Sequence, residues 1–117
     1  MSVDVRALNH FQRKARRLSR KFRLLDNELG ILIAGLKESP RQGIDLGAGL
    51  FKIRLASKSK GKGKSGGLRV ITYYIEQVGD DEVVYLVTIY DKSEEDSIDR
   101  ADLLAIVQNA LTDPPEE

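Results

Sequence analysis

Residues 68–90, LRVITYYIEQVGDDEVVYLVTIY, decide the fold. β-Branched and aromatic residues crowd both ends of the stretch, and Val78-Gly79-Asp80-Asp81 between them is a turn signal. This predicts two strands, 68–77 and 82–90, joined as a hairpin. The second strand is the most apolar in the chain and is expected near the centre of a sheet. Just upstream, Phe51, Ile53 and Leu55 alternate with Lys52, Arg54 and Ala56, which predicts a half-buried strand with cations on its open face. The connecting segment 57–67, SKSKGKGKSGG, holds only serine, lysine and glycine and is expected to be a mobile basic loop.

Helical spacing occupies the N-terminal third. Phe11, Ala15, Leu18, Phe22 and Leu25 form one apolar stripe, with Asn9 as a plausible N-cap. A second series, Leu25, Leu29, Leu32, Ile33 and Leu36, runs to Ser39-Pro40, where proline ends it. The result is a helical hairpin over 9–38, broken between Lys21 and Asp26. Val3, Val5 and Leu8 suggest a weak first strand, and the glycine-rich segment 41–50 reads as a loop. Ser97 or Asp99 caps a last helix with Ala101, Leu103, Leu104, Ile106, Val107 and Leu111 as its apolar positions. The expected architecture is α+β: an antiparallel sheet of three or four strands, the helical hairpin packed on one face, and a C-terminal helix. Residues 1–112 are expected to form one domain, with 113–117 an acidic tail.

Composition narrows the chemistry. The 117 residues contain no cysteine and one histidine, His10, which argues against thiolate or histidine-built metal centres and against cysteine nucleophiles. No apolar run reaches the roughly 18 residues of a membrane span, so no membrane partner is expected and a cytoplasmic protein is the default. The net charge of +1 conceals a strong asymmetry: residues 1–75 carry a net +12 and residues 76–117 a net −11. A polyanion-binding face is one reading, and mutual neutralisation of the two halves is the other.

Several motifs invite sharper readings. Gly63-Lys64-Ser65 imitates the end of a phosphate loop, but Lys58 stands where its first glycine belongs and a strand follows instead of a helix. Lys58, Lys60, Lys62 and Lys64 can still meet RNA phosphates by charge, as can helix cations such as Arg13 and Arg17. His10, at a helix start, is a capping or surface residue before it is a catalyst. Asp91, Glu94, Glu95 and Asp96 lack metal-loop spacing and read as a solvated turn.

What remains is Lys52, Arg54, Arg69 and Lys92. The first two share a strand face, and the others open and close the following strands. Such a cluster suits RNA, which carries its own nucleophile. Attack of a 2′-OH on the adjacent phosphate needs in-line positioning and charge stabilisation, and arginine forks hold phosphoryl oxygens bidentately.

At these residues the chain resembles a known family. FKIRL (51–55), GKGKSGG (61–67), LRVI (68–71) and LVTIYDKS (86–93) are similar to the RelE/HigB branch of the RelE/ParE toxin superfamily. The resemblance implies a RelE-like fold, a type II toxin–antitoxin system with a cognate antitoxin partner, and metal-independent, cofactor-free cleavage of mRNA on the ribosome. It puts Arg69 at the scissile phosphate and adds Lys52, Arg54 and Lys92 as further basic site residues. Family members that use a C-terminal tyrosine for proton transfer have no match at Ser97-Ile98-Asp99, which leaves Tyr90, Asp91 or a lysine for that work. A ParE-like inhibitor of a protein such as gyrase, or an RNA-binding domain without catalysis, stay open as alternatives.

Overall fold

Sheet order, not strand content, is what places the site. A computed structural model describes residues 2–56, 67–79, 81–94 and 98–112. Its elements run β1 (Val3–Ala7), α1 (Asn9–Lys21), α2 (Leu25–Glu38), β2 (Ile44–Gly47), β3 (Leu50–Leu55), β4 (Leu68–Val78), β5 (Asp81–Asp91) and α3 (Arg100–Thr112). The predicted strands and helices fall within a residue or so of these bounds.

Two expectations need correction. The sheet is five-stranded and mixed, not a three- or four-stranded antiparallel one, in the order β1-β5-β4-β3-β2. The weak first strand pairs parallel with β5, Val5 opposite Val84. The segment read as a loop holds the other edge: β2 pairs antiparallel with β3 through a turn in which Gly47, Ala48 and Gly49 all have positive φ. Both added strands are short edges, where β-propensity signals are weakest. The second correction is minor. Leu8, not Asn9, is the N-cap residue of α1, and it is buried.

Both faces of the sheet are covered. On one, Phe11, Leu18, Phe22, Leu25, Leu29, Leu32 and Leu36 from α1 and α2 pack on Ile53, Leu68, Val70, Val84, Leu86 and Ile89. On the other, Leu103 and Val107 of α3 pack with Leu8, Leu50, Ile71, Val87 and Tyr90. Leu55, at the end of β3, is half-buried, and Val87 lies in the second cluster, not under the helical hairpin. A bulge explains Val87. Ile71 pairs with Thr88 while Thr72 pairs with Leu86, so β5 carries one extra residue there. That extra residue puts Val87 and Tyr90, three apart in sequence, in the same cluster. α1 is strongly amphipathic, whereas α2 is apolar on more than one side and leaves Ile31 exposed at its outer surface, with Leu24 exposed at its N-cap.

Candidate active site

The register of the three central strands builds a row across the sheet. Arg54 of β3 lies opposite Arg69 of β4, and Arg69 lies opposite Tyr90 of β5. Lys52, two residues from Arg54, faces the same side in the next row, opposite Ile71. This is the side of the sheet that carries Leu50, Ile71, Tyr90 and α3. Four of the sequence-predicted residues are therefore brought together by pairing alone. Two arginines placed directly across a strand pair repel one another, a cost the fold accepts here. An anion between them reverses that sign, since each guanidinium presents a fork of donors to phosphate oxygens.

Access differs along the row. Arg54 is exposed and Lys52 is half-buried. Arg69 is only 7% exposed and Tyr90 2%, with Leu103 and Val107 in the same apolar cluster as Tyr90. One Arg69 Nη1 contact is to the Leu68 carbonyl, 3.4 Å away.

Lys92 is held to the row by the turn that ends β5. Its N–H donates to the Gly67 carbonyl at 3.2 Å, which ties it to the start of β4 two residues before Arg69. Gly67 has a φ of +72°, and this conformation accounts for the glycine there. Asp91 is 1% exposed. Its Oδ1 accepts from the Ser93 N–H at 3.0 Å and the Ser93 hydroxyl at 2.9 Å, while its carbonyl accepts from the Glu94 N–H at 2.8 Å. Glu94 in turn takes Arg17 at 3.3 Å and Lys21 at 3.5 Å from α1. Strand alternation turns Asp91 away from the face on which Tyr90 sits. These geometries tie one Asp91 oxygen into the turn that carries Lys92.

The remaining candidates are dispersed. Lys58, Lys60, Lys62 and Lys64, and with them the expected mobility of their loop, lie outside the described residues. Arg13 is exposed on α1, across the sheet from the row, and Arg17 on the same helix is engaged by Glu94. His10 is half-buried, its Nε2 3.1 Å from the Thr88 hydroxyl. Tyr74 donates its hydroxyl to Glu82, and this bond, helped by burial and the Glu82 charge, raises the phenol above its ordinary value. Ser93 is absent from the candidates of the sequence reading although its partner Asp91 lies only two residues away; Glu94, read there as part of a solvated turn, meets α1 across 77 positions of sequence, a partner that only the tertiary fold sets. No helix among the described residues is long and apolar enough to cross a membrane.

Comparison with known proteins gives two findings. A family model described as RelE toxin of the RelE/RelB toxin–antitoxin system matches residues 9–112. Among solved structures, a mutant form of the Escherichia coli toxin RelE in the free state is similar in fold: TM-score 0.56, 16% identity, 95% of this chain and 96% of that chain covered.

Proposed function

The chain belongs to the RelE toxin family of RelE/RelB toxin–antitoxin systems, and on that premise we propose that it cleaves mRNA on the ribosome as a metal-independent endoribonuclease. Family membership makes it a toxin whose partner is an antitoxin. The observation that supports the nuclease reading is the cross-strand row Arg54–Arg69–Tyr90 with Lys52 beside it.

In this reading the 2′-oxygen of one nucleotide attacks the adjacent phosphorus and the P–O5′ bond breaks. The 2′-OH gives up its proton as it attacks, and the departing 5′-oxygen takes one up, so the products are a 2′,3′-cyclic phosphate and a 5′-hydroxyl. Arg69, at the centre of the row, carries the charge that develops on the phosphoryl oxygens, and Arg54 shares it from the exposed side. Lys52 and Lys92 hold the flanking backbone. Tyr90 is the proton-transfer candidate best placed, because its strand position is directly opposite Arg69. Asp91 is a positioning residue: through Ser93 it holds the turn that carries Lys92. Entry of RNA has to uncover Arg69 and Tyr90, and α3 is the element packed at the Tyr90 end.

The test is expression of the chain with mapping of mRNA 5′ ends and end-group analysis. Cuts on translated messages, leaving 2′,3′-cyclic phosphates, are expected. Growth arrest with DNA-damage signalling and intact mRNA would instead indicate a gyrase-type target, and intact mRNA with RNA binding retained a non-catalytic domain. The Asp91 assignment has its own check. Asn keeps an Oδ1 acceptor for Ser93, so Asp91→Asn retains cleavage with an unchanged pH profile, whereas a general base at this position would lose both.

A further inference from the structure

Four large apolar side chains stand exposed among the described residues, and two of them belong to one helix. Ile31 of α2 is 67% exposed, and Leu24 at its N-cap 45%. Seven residues apart, they lie within about 20° of one another around the helix axis. Asn27 and Ala34, four before and three after Ile31, are exposed beside them. Gly30 completes the patch. It is exposed, and a Cβ there would meet nothing within 4 Å, so the face has a dent beside its most prominent side chain. Leu25, Leu29, Leu32 and Leu36 hold the opposite side of α2 in the core. Arg23 precedes the patch and Glu38 ends it; both are exposed, and neither has an ion pair among the described residues. Both also stand at the wrong end of their own helix, since a cation before the N-terminus and a carboxylate at the C-terminus oppose the macrodipole.

We propose that this face of α2 binds the same face of a second copy of the chain, as an antiparallel helix pair about a two-fold axis. One register makes the patch complementary to itself. With Arg23 set opposite Glu38 of the second copy, Ile31 falls opposite Gly30 of the second copy, and Asn27 opposite Ala34 of the second copy. Two-fold symmetry makes each contact twice. Each Ile31 fills the dent over a glycine, where the missing side chain lets the helix axes approach to the short end of the usual range of about 8–10 Å. Each end of the pair closes with an arginine–carboxylate contact, and both charges then lie at the favourable end of the neighbouring helix. An occupant of one charge sign would satisfy one end of the patch and repel the other, whereas a second copy satisfies both. α2 packs on the sheet face opposite Tyr90 and α3, so pairing through its outer side leaves both Arg54–Arg69–Tyr90 rows facing outward. The pairing therefore stands whether or not the nuclease reading does. One helix face buries less than the roughly 1,200 Å² of a standard interface, which makes the association weak and reversible.

The test is sedimentation velocity of the purified chain at low salt, from about 2 to about 200 μM, the range in which a weak pair assembles. The mean mass should climb from one chain toward two. Ile31→Gln should hold it at one chain with an unchanged melting temperature, because this side chain stands in solvent in the single chain. Glu38→Arg and Arg23→Glu should each weaken association about tenfold by replacing two attractions with two repulsions. Combining them in one chain restores both contacts with reversed polarity and should return the affinity to within about threefold of wild type. The chain has no cysteine, so Asn27→Cys and Ala34→Cys chains mixed under mild oxidation should cross-link faster than either alone, a readout specific to this register. A chain that stays monomeric at the top of the range, no rescue by the double reversal, or equal cross-linking of the mixture and the separate variants would each overturn the proposal. Loss of antitoxin binding in Ile31→Gln, with the free wild-type chain monomeric, would give the patch to the antitoxin and overturn it as well.

Discussion

Gly43→Ala should destabilise the protein by about 3 kcal/mol, through contacts that also bear on the site. Gly43 has a φ of +104° and lies beside β3 just before β2 begins. A Cβ there would fall 2.6 Å from the Lys52 carbonyl oxygen and 2.9 Å from Ile53 Cγ1. The first obstacle is backbone of a paired strand and cannot swing aside. Alanine at such a φ costs roughly 1–3 kcal/mol by itself, and displacing β3 adds to it. Gly79→Ala is the internal control: its φ is +67° but a Cβ there meets nothing within 4 Å. Left-handed strain of about 1–2 kcal/mol, partly offset by the stiffer unfolded chain, leaves a net cost near 1 kcal/mol. At about 4 °C per kcal/mol for a chain of this size, Gly43→Ala should melt about 12 °C below wild type and Gly79→Ala about 4 °C below. Urea titration should show a shifted midpoint with an unchanged m-value. Equal melting temperatures for the two variants would refute the steric reasoning. The displacement acts on Lys52, so Gly43→Ala should also weaken toxicity at temperatures where the variant remains folded.

Tyr74 keeps its proton more tightly in the folded chain than in the unfolded one, so its contribution to stability is whole below pH 10 and fades as pH climbs through the raised value. Tyr74→Phe should therefore flatten the stability profile above pH 10, read by denaturant midpoints across that range. Thr72 is fully buried between β3 and β5, and its hydroxyl has no hydrogen-bond partner among the described residues; Thr72→Val should be neutral or stabilising by up to about 1 kcal/mol in urea titration. Leu103 is 1% exposed where α3 packs on the sheet. Leu103→Ala should cost about 2–4 kcal/mol, and amide exchange should show the loss first in α3.

How far the sequence reveals this molecule varies with the kind of information. The β4–β5 hairpin was plain, because strongly β-forming runs flank a glycine turn, and the helical hairpin was plain from its 3.6-residue apolar spacing. β2 was not, since three glycines in the segment 41–50 mask a four-residue strand that only pairing with β3 reveals. α3 is legible as a helix, but its apolar residues spread around the axis do not say which sheet face it takes. For the site, period-two alternation put Lys52 and Arg54 together. The alignment of Arg54, Arg69 and Tyr90 depends on strand register, which the bulge at Val87 shifts by one residue on β5. No local pattern announces such a bulge. The role of Glu94 on α1 is invisible for the same reason: it is a contact of the tertiary fold.

Arg69 is the charge proposed to stabilise the reacting phosphate, and the decisive measurement is the rate at which Arg69→Ala cleaves mRNA on translating ribosomes. Removing one preorganised charge stabiliser costs about 100- to 1000-fold in rate, and Arg69→Lys should recover little because a point charge lacks the guanidinium fork. That loss is expected with antitoxin binding and melting temperature preserved. Cleavage by Arg69→Ala at the wild-type rate would contradict it and leave the Arg54–Arg69–Tyr90 row a binding surface only.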